Sequence, residues 1–165
     1  MSTEDRLFQS LESDFAHLIE RKVIELRTQC ESEIEVMYGV AANILMTLGH
    51  PNLFKLIPAS EESEYGETQI LLMPQYPWQN YRIDWVWRWR MHSKHGLVFI
   101  ECDGHDFHER TKEQAEHDRS KDRVIQAAGI PILRFTGREI FRDVVACVFE
   151  TVDFISARLN EALDG

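Results

Sequence analysis

The chain is short of positive charge. Eighteen Lys and Arg stand against 28 Asp and Glu, a formal net charge of −10 over 165 residues. Strong non-specific nucleic-acid binding depends on cations that neutralise phosphates, so this balance argues against a tight DNA binder. It leaves a metal-dependent enzyme open, because metal-holding acids themselves lower the net charge and turnover needs only a local basic surface. Cysteine is also scarce. Cys30, Cys102 and Cys147 are odd in number and lack metal-type spacing, which reads as reduced thiols in a cytosolic, cytoplasmic protein. No apolar run is long enough to span a bilayer, so no membrane partner is expected. Ser2, Thr3, Glu4 and Asp5 carry no basic-then-apolar pattern, so no signal peptide is expected. There are no repeats and no low-complexity tracts.

What is present suffices for one packed domain: hydrophobic residues make up 44% of the chain. Residues Thr3 to about Thr28 have helical spacing, with Leu7, Leu11, Phe15, Leu18, Ile19, Val23 and Leu26 recurring between charges. This segment, 1–29, is expected to be an N-terminal packing helix rather than a partner-binding one. Ser32 followed by Glu35 forms a capping-box pattern for a second helix that stops at Gly49-His50-Pro51. Ala59 to Glu67 reads as a solvated loop. A strand over Thr68–Met73 is expected to end at Pro74 and Pro77. A second covers Tyr81–Arg90, with Ile83, Trp85, Trp87 and Trp89 on one face and Arg82, Asp84, Val86, Arg88 and Arg90 on the other. After a turn at His92–Gly96, a third strand covers Leu97–Asp103. Arg110–Ala128 reads as a charged helix, Pro131–Phe135 as a short strand, and Arg138 to about Leu163 as a last amphipathic helix. A helix crossing between two strands predicts an α/β fold, with a mixed central sheet flanked by helices.

The run Leu97-Val98-Phe99-Ile100-Glu101-Cys102-Asp103-Gly104-His105-Asp106-Phe107-His108 is the most informative. An apolar strand here ends in two acids on one face, and a buried carboxylate needs a positive partner. Asp84 lies in the preceding strand, which is expected to pair with this one and to place Asp84 beside Glu101. Crowded carboxylates repel one another unless a cation sits among them. Mg²⁺ or Mn²⁺ suits such an oxygen set, and its chemistry is that of phosphodiester hydrolysis.

Glu35 in a helix, Asp84 in "RID", Glu101 and Asp103 in "IECDG", "DGHDFHERT" before a helix carrying Asp118, and "GIPILRF" together resemble the very-short-patch-repair-endonuclease-like family of the PD-(D/E)XK nuclease superfamily. The resemblance covers about residues 30 to 155. It implies a restriction-endonuclease-like αβββαβ core within a nuclease domain over 30–165, with the first helix as an extra element. It also implies a divalent metal and cleavage of DNA, with mismatch (DNA) repair, restriction and phage DNA processing all open as roles. Glu35 matches the helix acid, Asp84 the first motif aspartate and Glu101 the second motif acid, and the backbone carbonyl of Cys102 is implied as a further metal ligand. One position departs from the pattern: Asp103 stands where the motif lysine is usual. Lys112, Gln114, His105 and His108 are candidates to orient the attacking water in its place.

Each candidate has a plainer structural explanation. Glu101 and Asp103 can belong to ion pairs, Asp84 can pair with Arg82 or Arg88, and Glu35 can serve only as a helix cap. His105 and His108 can be solvated loop residues. Asp118 and Lys121, three apart, can pair on a solvated helical face. Trp85, Trp87 and Trp89 read as core under a helix. Arg82, Arg88, Arg90 and Lys94 can form a local basic surface, with Arg82, Arg88, Lys112 and Gln114 as candidate substrate contacts, or be paired with the acids. A zinc site from Cys102, His105 and His108 is a further alternative. Two function classes follow: a metal-dependent DNA endonuclease, and a catalytically silent nuclease fold that binds a protein or nucleic-acid partner. The lack of a visible specificity domain leaves a homodimer or a protein partner open in either case.

Overall fold

The computed structural model describes residues 3–62, 66–104 and 112–163. Helix α1 spans Thr3–Arg27 and α2 spans Glu33–Gly49. A short strand β1, Phe54–Leu56, and a 3₁₀ turn at Ala59–Glu61 follow. Then come β2 (Thr68–Trp78), β3 (Tyr81–Met91), β4 (Lys94–Asp103), α3 (Lys112–Ala127), β5 (Ile132–Thr136) and α4 (Gly137–Leu163). The strands form one mixed sheet in the order β1-β2-β3-β4-β5. The central pairs are antiparallel, while β1–β2 and β4–β5 are parallel. Parallel β4 and β5 need a crossover, and α3 supplies it. The fold is therefore α/β, a five-stranded mixed sheet flanked by helices.

The alternation of side chains along β3 and β4 sorts the core into two layers. Trp85, Trp87, Trp89, Val98 and Ile100 face Ile34, Tyr38, Ala42 and Met46 of α2 and Ile140, Val148 and Ile155 of α4. The tryptophans are core, as their spacing predicted. Trp87 Nε1 donates to Tyr38 Oη at 3.0 Å, Tyr38 Oη lies 2.9 Å from Thr151 Oγ1, and Trp85 Nε1 donates to the Glu35 carbonyl at 3.2 Å. This close approach depends on Gly39, where a Cβ would lie 2.2 Å from Trp85 Cζ2. On the other sheet face, Leu71, Met73, Val86 and Phe99 pack with Ile125 of α3.

Several boundaries differ from expectation. Strand β1 falls where no element was anticipated, because three residues give too little pattern to read. Strand β2 runs through Pro74 and Pro77 instead of stopping before them. The parallel partner β1 covers β2 only from Ile70 to Leu72, and Ile70 directs its N–H toward that side, to the Leu53 carbonyl. By alternation Pro74 faces the same edge beyond the end of β1, where a missing N–H leaves no broken bond. At the next residue, Gln75, φ is +48°, and the ladder skips the Gln75–Asp84 position. The faces exchange there: Ile83 lies with Val86 and Phe99 rather than with the tryptophans. The β3–β4 turn is tighter than expected, only His92-Ser93, with His92 at φ +53°. Helix α4 starts with a capping box between Thr136 and Glu139 and breaks at Asp143, whose carboxylate accepts the Ala146 N–H at 2.9 Å and caps the helix anew. Among the described side chains of α1, packing lies at the C-terminal end, where Leu26 is buried and Val23 half-buried, whereas residues 9–21 are exposed.

Candidate functional site

The β3–β4 ladder ends at Trp85↔Ile100. One residue further, the Asp84 Oδ2 accepts the Cys102 N–H at 2.7 Å, so a side chain replaces the strand-to-strand bond. The strands part at this point, and neighbouring elements bring polar groups into the opening. The N-terminus of α2 brings Glu35, which is only 5% exposed. Its Oε1 accepts from Ser32 Oγ at 2.6 Å, and its Oε2 accepts from the Glu31 N–H at 3.1 Å and from Gln75 Nε2 at 2.5 Å. The cap role read from the sequence is present, and the same carboxylate lines the opening.

Helix α3 brings Lys121. Its Nζ donates to both oxygens of Glu101 at 2.7 Å and to the Arg82 carbonyl at 2.8 Å. Both members of this pair are buried. Strand β5 brings Arg134, in register with Glu101; its guanidinium lies 3.7 Å from Asp103 and pairs with Asp122. Together these groups surround an open cleft of about 410 Å³, lined by Ser32, Glu35, Asp84, Glu101, Asp103 and Arg134 among others.

Crowding in this cleft shifts the acids. Burial, reinforced by Glu101 and Glu35, pushes the Asp84 carboxyl from the ordinary 3.8 up to about 7, against the Cys102 amide and Lys121. Burial also raises Glu101, opposed by Lys121 and Arg134. Glu35 is raised by burial too, opposed by its hydrogen bonds from Ser32 and Gln75. Burial and the charges of Asp84, Glu35 and Glu101 push the Cys102 thiol well above its usual range.

The structure brings together Glu35, Asp84, Glu101, Cys102 and Asp103 around one cleft. It places Arg88 elsewhere, paired with Glu62 and donating to Tyr76 Oη over β2. Arg82 pairs with Glu31 at the rim of the cleft. Lys112 is exposed at the start of α3. His105, His108 and the Gln114 side chain lie outside the described residues. Among the described residues, no three His, Cys, Asp or Glu side chains are already disposed to hold a metal ion.

Lys121 is the residue that sequence reasoning misplaced. An i,i+3 pair with Asp118 on a solvated face was expected, but Lys121 points inward to a carboxylate 20 positions earlier in the chain. A signal was available: Lys121 lies one turn before Ile125, the buried apolar residue of α3, and so shares its inward face. Gln75 and Arg134 were also missed: no motif includes Gln75, and "GIPILRF" includes Arg134 only as part of a short apolar strand. The chain matches no family model, no curated protein and no solved structure.

Proposed function

We propose that this chain is a divalent-metal-dependent endonuclease that hydrolyses DNA phosphodiester bonds. Its core would be restriction-endonuclease-like, with α2, β2, β3, β4, α3 and β5 as the αβββαβ unit of a very-short-patch-repair-endonuclease-like member of the PD-(D/E)XK superfamily. The observation that carries this is the Lys121–Glu101 pair beside Asp84 in an open cleft. A lysine next to the second motif acid is what the sequence lacked at Asp103, and α3 delivers one from a different element.

The donor set fits a hard divalent cation. Three largely buried carboxylates, Glu35, Asp84 and Glu101, crowd the cleft, the Lys121 ammonium offsets only the last two, and two carboxylates with a carbonyl match the ligands Mg²⁺ and Mn²⁺ prefer. Asp84, Glu101 and the Cys102 carbonyl would hold the ion, which when bound supplies Lewis-acid chemistry for phosphodiester hydrolysis. Lys121 holds the Glu101 carboxylate in one orientation and places a proton donor beside it. Glu35, with a raised affinity for its proton and fixed by Gln75 and Ser32, is positioned to accept or return a proton at the mouth of the cleft. Arg134, drawn toward Asp103, places a guanidinium at the rim, where a phosphate would approach. The test is a cleavage assay on a panel of linear, nicked, branched and supercoiled DNA with Mg²⁺ or Mn²⁺. Cleavage by the wild-type chain that disappears in Glu101→Ala and with chelator supports the proposal; equal cleavage by Glu101→Ala removes it.

A second reading is a silent nuclease fold that binds a protein or nucleic-acid partner. Supporting it, Lys121 already engages both oxygens of Glu101 and the Cys102 amide engages Asp84, so the acids satisfy each other's surroundings without an ion. In that case no DNA form is cut under any metal.

A further inference from the structure

All three protons of the Lys121 ammonium are engaged. Two go to Oε1 and Oε2 of Glu101, both at 2.7 Å, and the third to the Arg82 carbonyl at 2.8 Å. Equal distances place Nζ between the two carboxylate oxygens, on the side from which a cation touches both. Its charge acts on Asp84 as well. Lys121 is therefore the counter-ion of the same two carboxylates that are proposed above to hold a divalent cation, and the inference below rests on that reading.

Like charges a few ångströms apart repel, so an ion taken up by Asp84 and Glu101 works directly against the ammonium between the Glu101 oxygens. Lysine suits a group that must yield: its ammonium is a compact charge on a flexible stem, whereas an arginine fork is held by its fixed geometry. The stem can move without the helix. Tyr81 Oη donates to Ser120 Oγ at 3.1 Å, and Ile125 is buried against the sheet, so α3 is fastened on both sides of residue 121. A second acceptor lies on the same helix. Asp118 lines the cleft and stands three positions before Lys121, the spacing of a helical ion pair.

We propose that Lys121 is a built-in cation that a divalent metal displaces. The ammonium holds Glu101 until an ion is taken up, then leaves the carboxylate for Asp118, so Lys121 sets how tightly the cleft binds metal. The residue guards the crowded carboxylates against mutual repulsion before loading and frees Glu101 on loading.

Nitrogen NMR on the full chain with isotope-labelled lysine reads the displacement. A buried ammonium with three acceptors exchanges its protons slowly, and its Nζ signal is assigned by its loss in Lys121→Arg. Saturating Mg²⁺ should shift that signal and speed its proton exchange. Calorimetry with Mn²⁺ at pH 8 reads the affinity: Lys121→Met should bind roughly ten-fold or more tightly than wild type, as the loss of one charge-assisted competitor predicts. In a chain that binds metal, a Lys121 signal unmoved by Mg²⁺ overturns the proposal even where Lys121→Met binds more tightly, because repulsion at a distance gives that result too. Equal or weaker binding by Lys121→Met overturns it as well. Should Lys121→Met fail to fold, the Nζ signal of the wild-type chain decides alone. The metal site is judged separately. No binding by either chain removes the site and the displacement with it, whereas binding by Lys121→Met alone supports displacement and removes the wild-type chain as a metal enzyme.

Discussion

From Met91↔Lys94 to Trp85↔Ile100, β3 and β4 are continuously paired, and three tryptophans cover them from one side. From Asp84 and Glu101 onward the same two strands separate and carry ionisable side chains into a cleft. The first half gains from burial: its polar atoms, such as the Trp85 and Trp87 indole N–H groups, find partners, and its apolar area leaves water. The second half is held against the tendency of its own charges to separate. Burial raises the affinity of Asp84, Glu101 and Glu35 for protons. Groups that strain stability in this way, gathered in a cleft, are what the proposed metal site would use.

That contrast can be broken from either side. The largest effect is expected in the dry half. Trp87→Ala removes a fully buried ring packed on Phe54 and hydrogen-bonded to Tyr38, and should cost about 3–5 kcal/mol in a urea titration. In the cleft, Lys121→Met should cost about 3 kcal/mol, because it leaves Glu101 buried beside Asp84 with its ammonium removed. Glu101→Gln/Lys121→Met should recover most of that loss, which a double-mutant cycle measures directly.

The third effect is smaller and opposite in sign. Asp84 has a folded pKa raised to about 7, so between about pH 4 and pH 7 the folded chain holds a proton that the unfolded chain releases. The stability contribution of this group is present below about pH 4 and is lost as pH rises through 7. Asp84→Asn keeps an oxygen to accept the Cys102 N–H and removes the titration. It should therefore be more stable than wild type at pH 8, by on the order of 1 kcal/mol, and no more stable at pH 4, as thermal melts across this range would show. A variant less stable than wild type at pH 8 would place the group in the stabilising half of the comparison.

Much of the fold was legible because its elements are long and periodic. The capping box at Ser32 and Glu35, the tryptophans on alternate positions of β3, and the apolar run of β4 each depend on neighbours in sequence. The pairing of β3 with β4 follows from their short connection, read as His92–Gly96 and in fact only His92-Ser93, and with it the meeting of Asp84 and Glu101. What stayed hidden depends on partners distant in the chain. Pro74 is tolerated because β1 ends at Leu56, which nothing in the sequence of β2 reveals. Ile83 changes face because Gln75 takes a left-handed conformation across the ladder. Lys121 reaches Glu101 because the β4–α3–β5 crossover lays α3 over that end of the sheet, whereas its local neighbour Asp118 offered a simpler explanation. Arg88, expected at the site, instead meets Glu62 from the segment before β2.

The central claim is that the open end of β3 and β4 is a cradle for a divalent cation. Calorimetric titration of the chain with Mn²⁺ at pH 8 tests it most directly, beside Asp84→Asn under the same conditions. Saturable binding by wild type, lost or strongly weakened in Asp84→Asn, is the predicted result. No binding at millimolar Mn²⁺, or binding that Asp84→Asn leaves unchanged, would contradict it.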